Sequence, residues 1–284
     1  MTVVDYLRGN GQFARTAIRW GMSSEEQSIG DMLRDWRQRR RCSQLALALE
    51  AEISQRHLSF LETGRALPSR EMLMRLADSL DMPPRARNAM LLAAGFAPVH
   101  VERSLSSPEL TAAREAIDRI LQGHEPYPAL AVDRIWTLLS ANKAVGLLTQ
   151  GVSPSLLAGE VNVLRLSLHP EGLAPRIVNY REWRAHILLR LGHDIGRSAD
   201  PKLIALSDEL KSYPVPPQAM AQRHKMVQPS IAIPLILASD HGALEFISTT
   251  TVFGTAIDIT LAEIVIESFF PANAATAVAM QKLS

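Results

Sequence analysis

Residues 43–64 read SQLALALEAEISQRHLSFLETG. Two short helical patterns meet in this stretch. Leu47 and Ala48 in the first, and Ile53, Leu58 and Leu61 around the second, supply a buried face. Ser43 and Ser54 stand where side-chain N-caps belong, and Gly64 stands where a left-handed C-cap would close the second helix. Ser54, Gln55, Arg56, His57 and Ser59 are then left to face outward. Two helices joined by a tight turn let the second project into a DNA major groove. Gln bonds adenine bidentately there and Arg bonds guanine. Gln44 opens the first helix, where an amide and a backbone N–H can hold a phosphate. Arg65, just past the second helix, completes the candidate DNA-binding set. The structural alternative is a small helical bundle with one exposed polar helix.

Working outward, the pattern stays helical from Ile29 to about Gly95 and divides into five short helices. Ile29, Leu33 and Trp36 form an apolar stripe in the first, with Arg34, Arg37, Arg39, Arg40 and Arg41 crowded beside it. Pro68 and Ser69 open a fourth helix, and Pro83 and Pro84 a fifth. Residues 28–100 carry 11 basic and 8 acidic side chains, against 16 and 18 in residues 101–284. The positive excess therefore sits with the two-helix stretch. The arginine cluster reads either as a solvated helix face or as a contact for a polyanion.

From Ile29 to Leu80 the chain resembles the phage-repressor-type (XRE) helix-turn-helix family. The resemblance rests on Gln44, Leu47 and Ala48 at the opening of the motif and on Glu62 and Gly64 at its close. It implies an ion pair between Arg37 in the first helix and Glu62 at the end of the recognition helix. The interhelical turn of that family usually holds a glycine, and here it is Glu52. A positive φ at that residue would cost roughly 1 kcal/mol.

The 284 residues suit two domains. The single cysteine, Cys42, forbids an internal disulfide and a cysteine zinc site. The first twenty residues hold no long apolar run, and no apolar run reaches the length of a membrane span, so a cytoplasmic protein with no membrane partner is expected. Residues 1–27 form an extension whose structure stays open. Residues 28–100 form the helical domain, 101–107 a linker and 108–284 a second domain. In the latter, a helix at 108–123 precedes strands at 129–132 and 135–140, around a turn at Asp133 and Arg134. Helices follow at 142–150, 161–168, 180–196 and 201–211. Strands at 231–238 and 243–253 flank a turn of Asp240, His241 and Gly242. Residues 261–270 fit either strand or helix. The expected fold class is thus an all-α helix-turn-helix domain followed by an α+β domain with an antiparallel sheet.

No phosphate loop, Gly-x-Ser-x-Gly or His-Glu-x-x-His appears, so no catalytic residue and no required cofactor is assigned. His186 and His193 share a helix, seven residues apart, without a third metal ligand, and no metal site is assigned. Segments 126–148, 162–191 and 248–272 resemble the ligand-binding domain of MmyB-like transcription regulators. Leu-His-Pro-x-Gly-Leu (168–173) and Phe-Phe-Pro (269–271) are the most distinctive runs. That resemblance implies a PAS-like domain around a pocket for a fatty-acid-like or other apolar ligand. Trp136 and Phe253 are candidate walls. Arg165, His169, Asn142 and Asn179 are candidate polar contacts, with Arg165 as first choice to meet a carboxylate. Each polar candidate has a structural alternative: Asn142 and Asn179 as helix N-caps, and His169 with Pro170 as a helix terminator. The expected function is a homodimeric transcription regulator that binds a double-stranded DNA operator and a small apolar effector. The alternative is an enzyme or a partner-binding protein with an N-terminal DNA-recruiting module.

Overall fold

The computed structural model describes residues 28–221, 232–254 and 256–283. Residues 1–27 and Ile231, which begins one expected strand, lie outside them. Five helices form the N-terminal region: α1 (Ile29–Arg39), α2 (Gln44–Glu50), α3 (Gln55–Glu62), α4 (Arg70–Ser79) and α5 (Pro84–Ala93). The first four begin alike. Ser28, Ser43, Ser54 and Ser69 each hold an extended backbone, and each hydroxyl accepts from the N–H three residues on. One otherwise orphaned donor per helix is satisfied in this way. Proline at its start sets α5 instead.

These helices enclose one apolar core that includes Leu33, Trp36, Leu47, Leu58, Leu61 and Leu76. α1 lies hard against the end of α3. A Cβ on Gly30 would meet the Leu61 and Glu62 carbonyl oxygens at 2.6 and 2.7 Å, so only glycine permits that approach. Glu52 does take a left-handed conformation, with φ of 55°, as does Gly64 with 71°.

The second region is α+β. A 3-10 turn (Pro108–Leu110) leads into α6 (Thr111–Gly123), then β1 (Ala129–Val132), β2 (Leu138–Ala141), α7 (Lys143–Leu148) and α8 (Val163–Leu168). α9 (Tyr180–Ser198), α10 (Pro201–Ser212) and α11 (Pro217–Ala221) follow. The chain ends through β3 (Leu235–Ser239), β4 (Gly242–Val252), α12 (Ile259–Ala262), β5 (Val265–Pro271) and α13 (Ala274–Leu283). The five strands form one antiparallel sheet in the order β2-β1-β5-β4-β3. Alternation along its central strands gives it two apolar faces. Ala129, Ala131 and Ile266 pack with Ile117 and Leu121 of α6. Leu130, Val132 and Phe269 pack with α7 to α10 in the larger core.

Three expected elements change. The strand expected at 135–140 begins at Leu138, because Asp133 Oδ1 accepts from the N–H groups of Ile135 (2.9 Å) and Thr137 (2.7 Å). That tight turn holds Trp136 at φ of 67°. The ambiguous stretch 261–270 divides into the end of α12 and most of β5, while α11 and α13 were not expected at all. The segment expected to be a linker is pinned rather than loose. Val101 O accepts from Ile259 N (2.9 Å), and Arg103 pairs with Asp258 (3.2 Å).

Candidate functional site

The helix-turn-helix face is built from inside outward. Arg37 of α1 donates to both carboxylate oxygens of Glu62, at 2.6 and 2.8 Å. Gln44 Nε2 donates to the same carboxylate at 2.8 Å, and Arg34 Nη2 to the Glu62 carbonyl at 2.7 Å. Glu62 is only 2 % exposed. Burial alone would push its carboxyl up, but the hydrogen bonds from Arg37 and Gln44 and the arginine charges together hold it below the usual carboxylate range. The side chain of Gln44, expected to hold a phosphate, is thus engaged in bracing α2 against α3.

The arginine cluster is mostly brace as well. Arg40 donates to the carbonyls of Leu80 and Asp81 and lies over the Trp36 ring, while Arg39 and Arg41 remain exposed. On α3, Gln55 and Arg56 are exposed, and the Arg56 guanidinium sits 5.3 Å from the Phe60 ring centroid. Ser54 is exposed but its hydroxyl oxygen caps the His57 N–H. His57 and Ser59 are half-buried, and Arg65 is exposed beyond the helix end.

In the second region a cleft opens between the sheet and helices α7, α8 and α9. Its walls include Leu130, Leu138, Val145, Leu164, Trp183 and Phe269, and its void, counting the open mouth, is about 840 Å³. One corner is charged. Arg190 of α9 pairs with Glu267 of β5 and also donates to Thr250 Oγ1 at 2.9 Å. Its guanidinium lies 4.5 Å from the Trp136 ring centroid, and Trp136 Nε1 donates to Asp194 at 3.2 Å. Burial and the adjacent Asp194 charge push the Glu267 carboxyl up, against the pull of Arg190. His186 also lines the cleft, and burial together with the Arg190 charge holds its imidazole down. Trp183, His186, Ile187 and Arg190 follow helical spacing, a signal that could have marked this face of α9 in the sequence.

Of the expected ligand contacts, Trp136 alone lines the cleft. Arg165 instead makes a two-pronged pair with Glu209, at 2.6 and 2.8 Å, tying α8 to α10. Tyr213 donates to that carboxylate too; burial and the pairing push its phenol up to about 12. His169 stacks edge-on against Tyr213 at 5.0 Å. Asn142 stands at the start of α7 without capping it. Its amide donates to the Leu121 and Tyr127 carbonyls and its oxygen accepts from Ala129 N, locking β1 to α6. Asn179 likewise does not cap α9; it holds the backbone of Pro234 and Ile236. Phe253 packs on the opposite, α6 side of the sheet.

The regions are joined by charge. Arg85 of α5 grips Glu263, with Nη2 2.8 Å from Oε2, and also pairs with Glu102. Arg134 pairs with Asp200 and lies 3.9 Å from Glu263. Arg134 belongs to the same turn as Trp136, so one short segment touches both the cleft and the junction.

A helix-turn-helix joined to a second domain with an apolar cleft defines a DNA-binding transcription regulator with a ligand-binding domain. Family profiles agree: residues 33–86 match a helix-turn-helix, and residues 113–283 match the MmyB-like transcription regulator ligand binding domain. The chain belongs to the MmyB-like transcription regulators. A comparison with curated proteins finds no match. Among the described residues no helix is long and apolar enough to cross a membrane, and no group of side chains could hold a metal ion.

Proposed function

We propose that this regulator reads its operator through Gln55 and Arg56, with Ser54, His57, Ser59 and Arg65 beside them, and responds to an elongated, fatty-acyl-like effector seated in the cleft. The cleft carries this reading: nearly all its walls are apolar, drawn from sheet and helices alike, with polar groups confined to a few positions. The antiparallel sheet, with α7 to α9 across the face that bears the cleft, supports a PAS-like description. Each alkyl methylene taken out of water contributes about 0.8 kcal/mol, so affinity grows with chain length until the cleft is filled. The effector acts on DNA affinity because it would press on Trp136, whose turn carries Arg134 into the junction with α5. A recognition helix of eight residues contacts few bases, which favours a homodimer on two half-sites in the cytoplasm. No cofactor is needed for this role.

The test is direct. Denature the purified full-length protein and identify co-purifying small molecules by mass spectrometry, then titrate the protein with straight-chain ligands of increasing length. Binding that strengthens with length and alters operator affinity supports the reading. Length-independent binding, or binding without effect on operator affinity, contradicts it.

A further inference from the structure

The charged corner of the cleft limits what head group the effector can carry. Arg190 is the only arginine or lysine among the described residues that line the cleft, and it is already paired with Glu267. Its second Nη donates to Thr250. Asp194, held by Trp136 Nε1, adds a further carboxyl close by. His186 offers no compensating charge, because burial and Arg190 both favour its neutral form. The other polar linings are engaged internally: Thr149 Oγ1 donates to the Val145 and Gly146 carbonyls, and Ser167 Oγ accepts from Trp183 Nε1 at 3.0 Å.

A ligand carboxylate entering this corner would meet a guanidinium already paired and would have to compete with the Glu267 carboxylate that pairs it. Displacing Glu267 would leave a side chain that is only 10 % exposed without its counter-charge. A neutral head meets no such barrier. A carboxylate has about four lone-pair sites, so Glu267 can accept a hydrogen bond from a ligand hydroxyl or amide while keeping Arg190.

Resting on the reading of the cleft as the effector site, we propose that Glu267 sets head-group specificity. By occupying Arg190, it reserves the cleft for an alkyl ligand with a neutral, hydrogen-donating head, such as an alcohol or primary amide, and excludes the free carboxylate.

The test compares dodecanol, dodecanamide and dodecanoate, each below its micelle concentration, on the full-length protein at neutral pH. Tryptophan fluorescence reports binding, since Trp136 and Trp183 both line the cleft. The neutral ligands should bind roughly ten-fold or more tightly than the carboxylate. Glu267→Gln, which frees Arg190, should shrink or reverse that ratio. Equal or tighter binding of dodecanoate to the wild type would overturn the proposal and leave the apolar effector site standing. An unchanged ratio in a folded Glu267→Gln protein would also overturn it. Should that variant fail to fold, the wild-type ratio decides alone. Absence of binding by all three ligands would overturn both this proposal and the effector reading beneath it.

Discussion

Arg37 and Glu62 form a two-pronged ion pair that fastens the first helix to the end of the recognition helix. Glu62→Ala would leave a half-buried guanidinium without its counter-charge, at a cost of about 3–5 kcal/mol. Thermal melting should show a large fall, and operator binding should fall with it. The pair also makes stability pH-dependent. The folded-state pKa of Glu62 lies below its unfolded value. Its contribution is therefore fully present above the unfolded value, near 4.3, and vanishes as pH falls through the lower folded value. Glu62→Gln should flatten that acid limb, and an acid limb identical to wild type would refute the assignment.

Arg56 is exposed on the outer face of α3, with its guanidinium over the Phe60 ring. Arg56→Ala should weaken operator binding by roughly 1–3 kcal/mol and leave the fold intact. Affinity for random DNA, measured in parallel, should change far less. An equal loss on both would make Arg56 a phosphate contact rather than a base reader.

Arg85 and Glu263 carry the tie between α5 and the ligand-binding domain. Both side chains are partly exposed, so breaking the pair should cost about 1 kcal/mol of stability or less. Arg85→Ala should bind operator almost normally while its response to ligand shrinks several-fold. Combining Arg85→Glu with Glu263→Arg should recover part of that response. A full ligand response in Arg85→Ala would show that the coupling runs elsewhere.

Gly30 marks the tightest approach of α1 to α3. Alanine there would place a methyl against two carbonyl oxygens. Forcing the helices apart should cost about 1–3 kcal/mol, only partly offset by a helix-propensity gain of about 1 kcal/mol. Differential scanning calorimetry of Gly30→Ala should show a lower melting temperature. An unchanged one would mean that α1 slides freely along its neighbour.

The DNA-reading half was legible because its determinants are local. Serine caps, apolar spacing and the Gln44 to Gly64 interval all lie within a few turns of one another, and even the strained Glu52 follows from its place in the turn. In the arginine cluster the resemblance pointed to the Arg37–Glu62 pair, but not to the bonds of Arg40 with the Leu80 and Asp81 carbonyls, which lie just past the end of α4 and some 40 residues away in sequence. The ligand cleft was harder still. Arg165 looked free because Glu209 lies 44 residues away, and Arg190 went unnoticed because Glu267 lies 77 residues away. Phe253 sits just beyond β4, and the face it joins depends on register against β5, which local spacing does not reveal. The polar side chains expected at the ligand were instead spent on backbone groups left over at chain crossings, as Asn142 and Asn179 show.

The core that walls the cleft and the core of the helix-turn-helix have no buried residue in common. Substitutions that reshape the cleft for a different chemical signal can therefore accumulate without disturbing how α3 is presented to DNA, and operator preference can drift without altering what is sensed. What must be preserved for the two to stay in communication is the set of contacts between them: the Arg85, Arg134 and Glu263 junction, the Arg103–Asp258 pair and the packing of Ala199 against the helix-turn-helix core. Such an arrangement lets a lineage of regulators exchange inputs and targets independently, with selection holding the contacts between them.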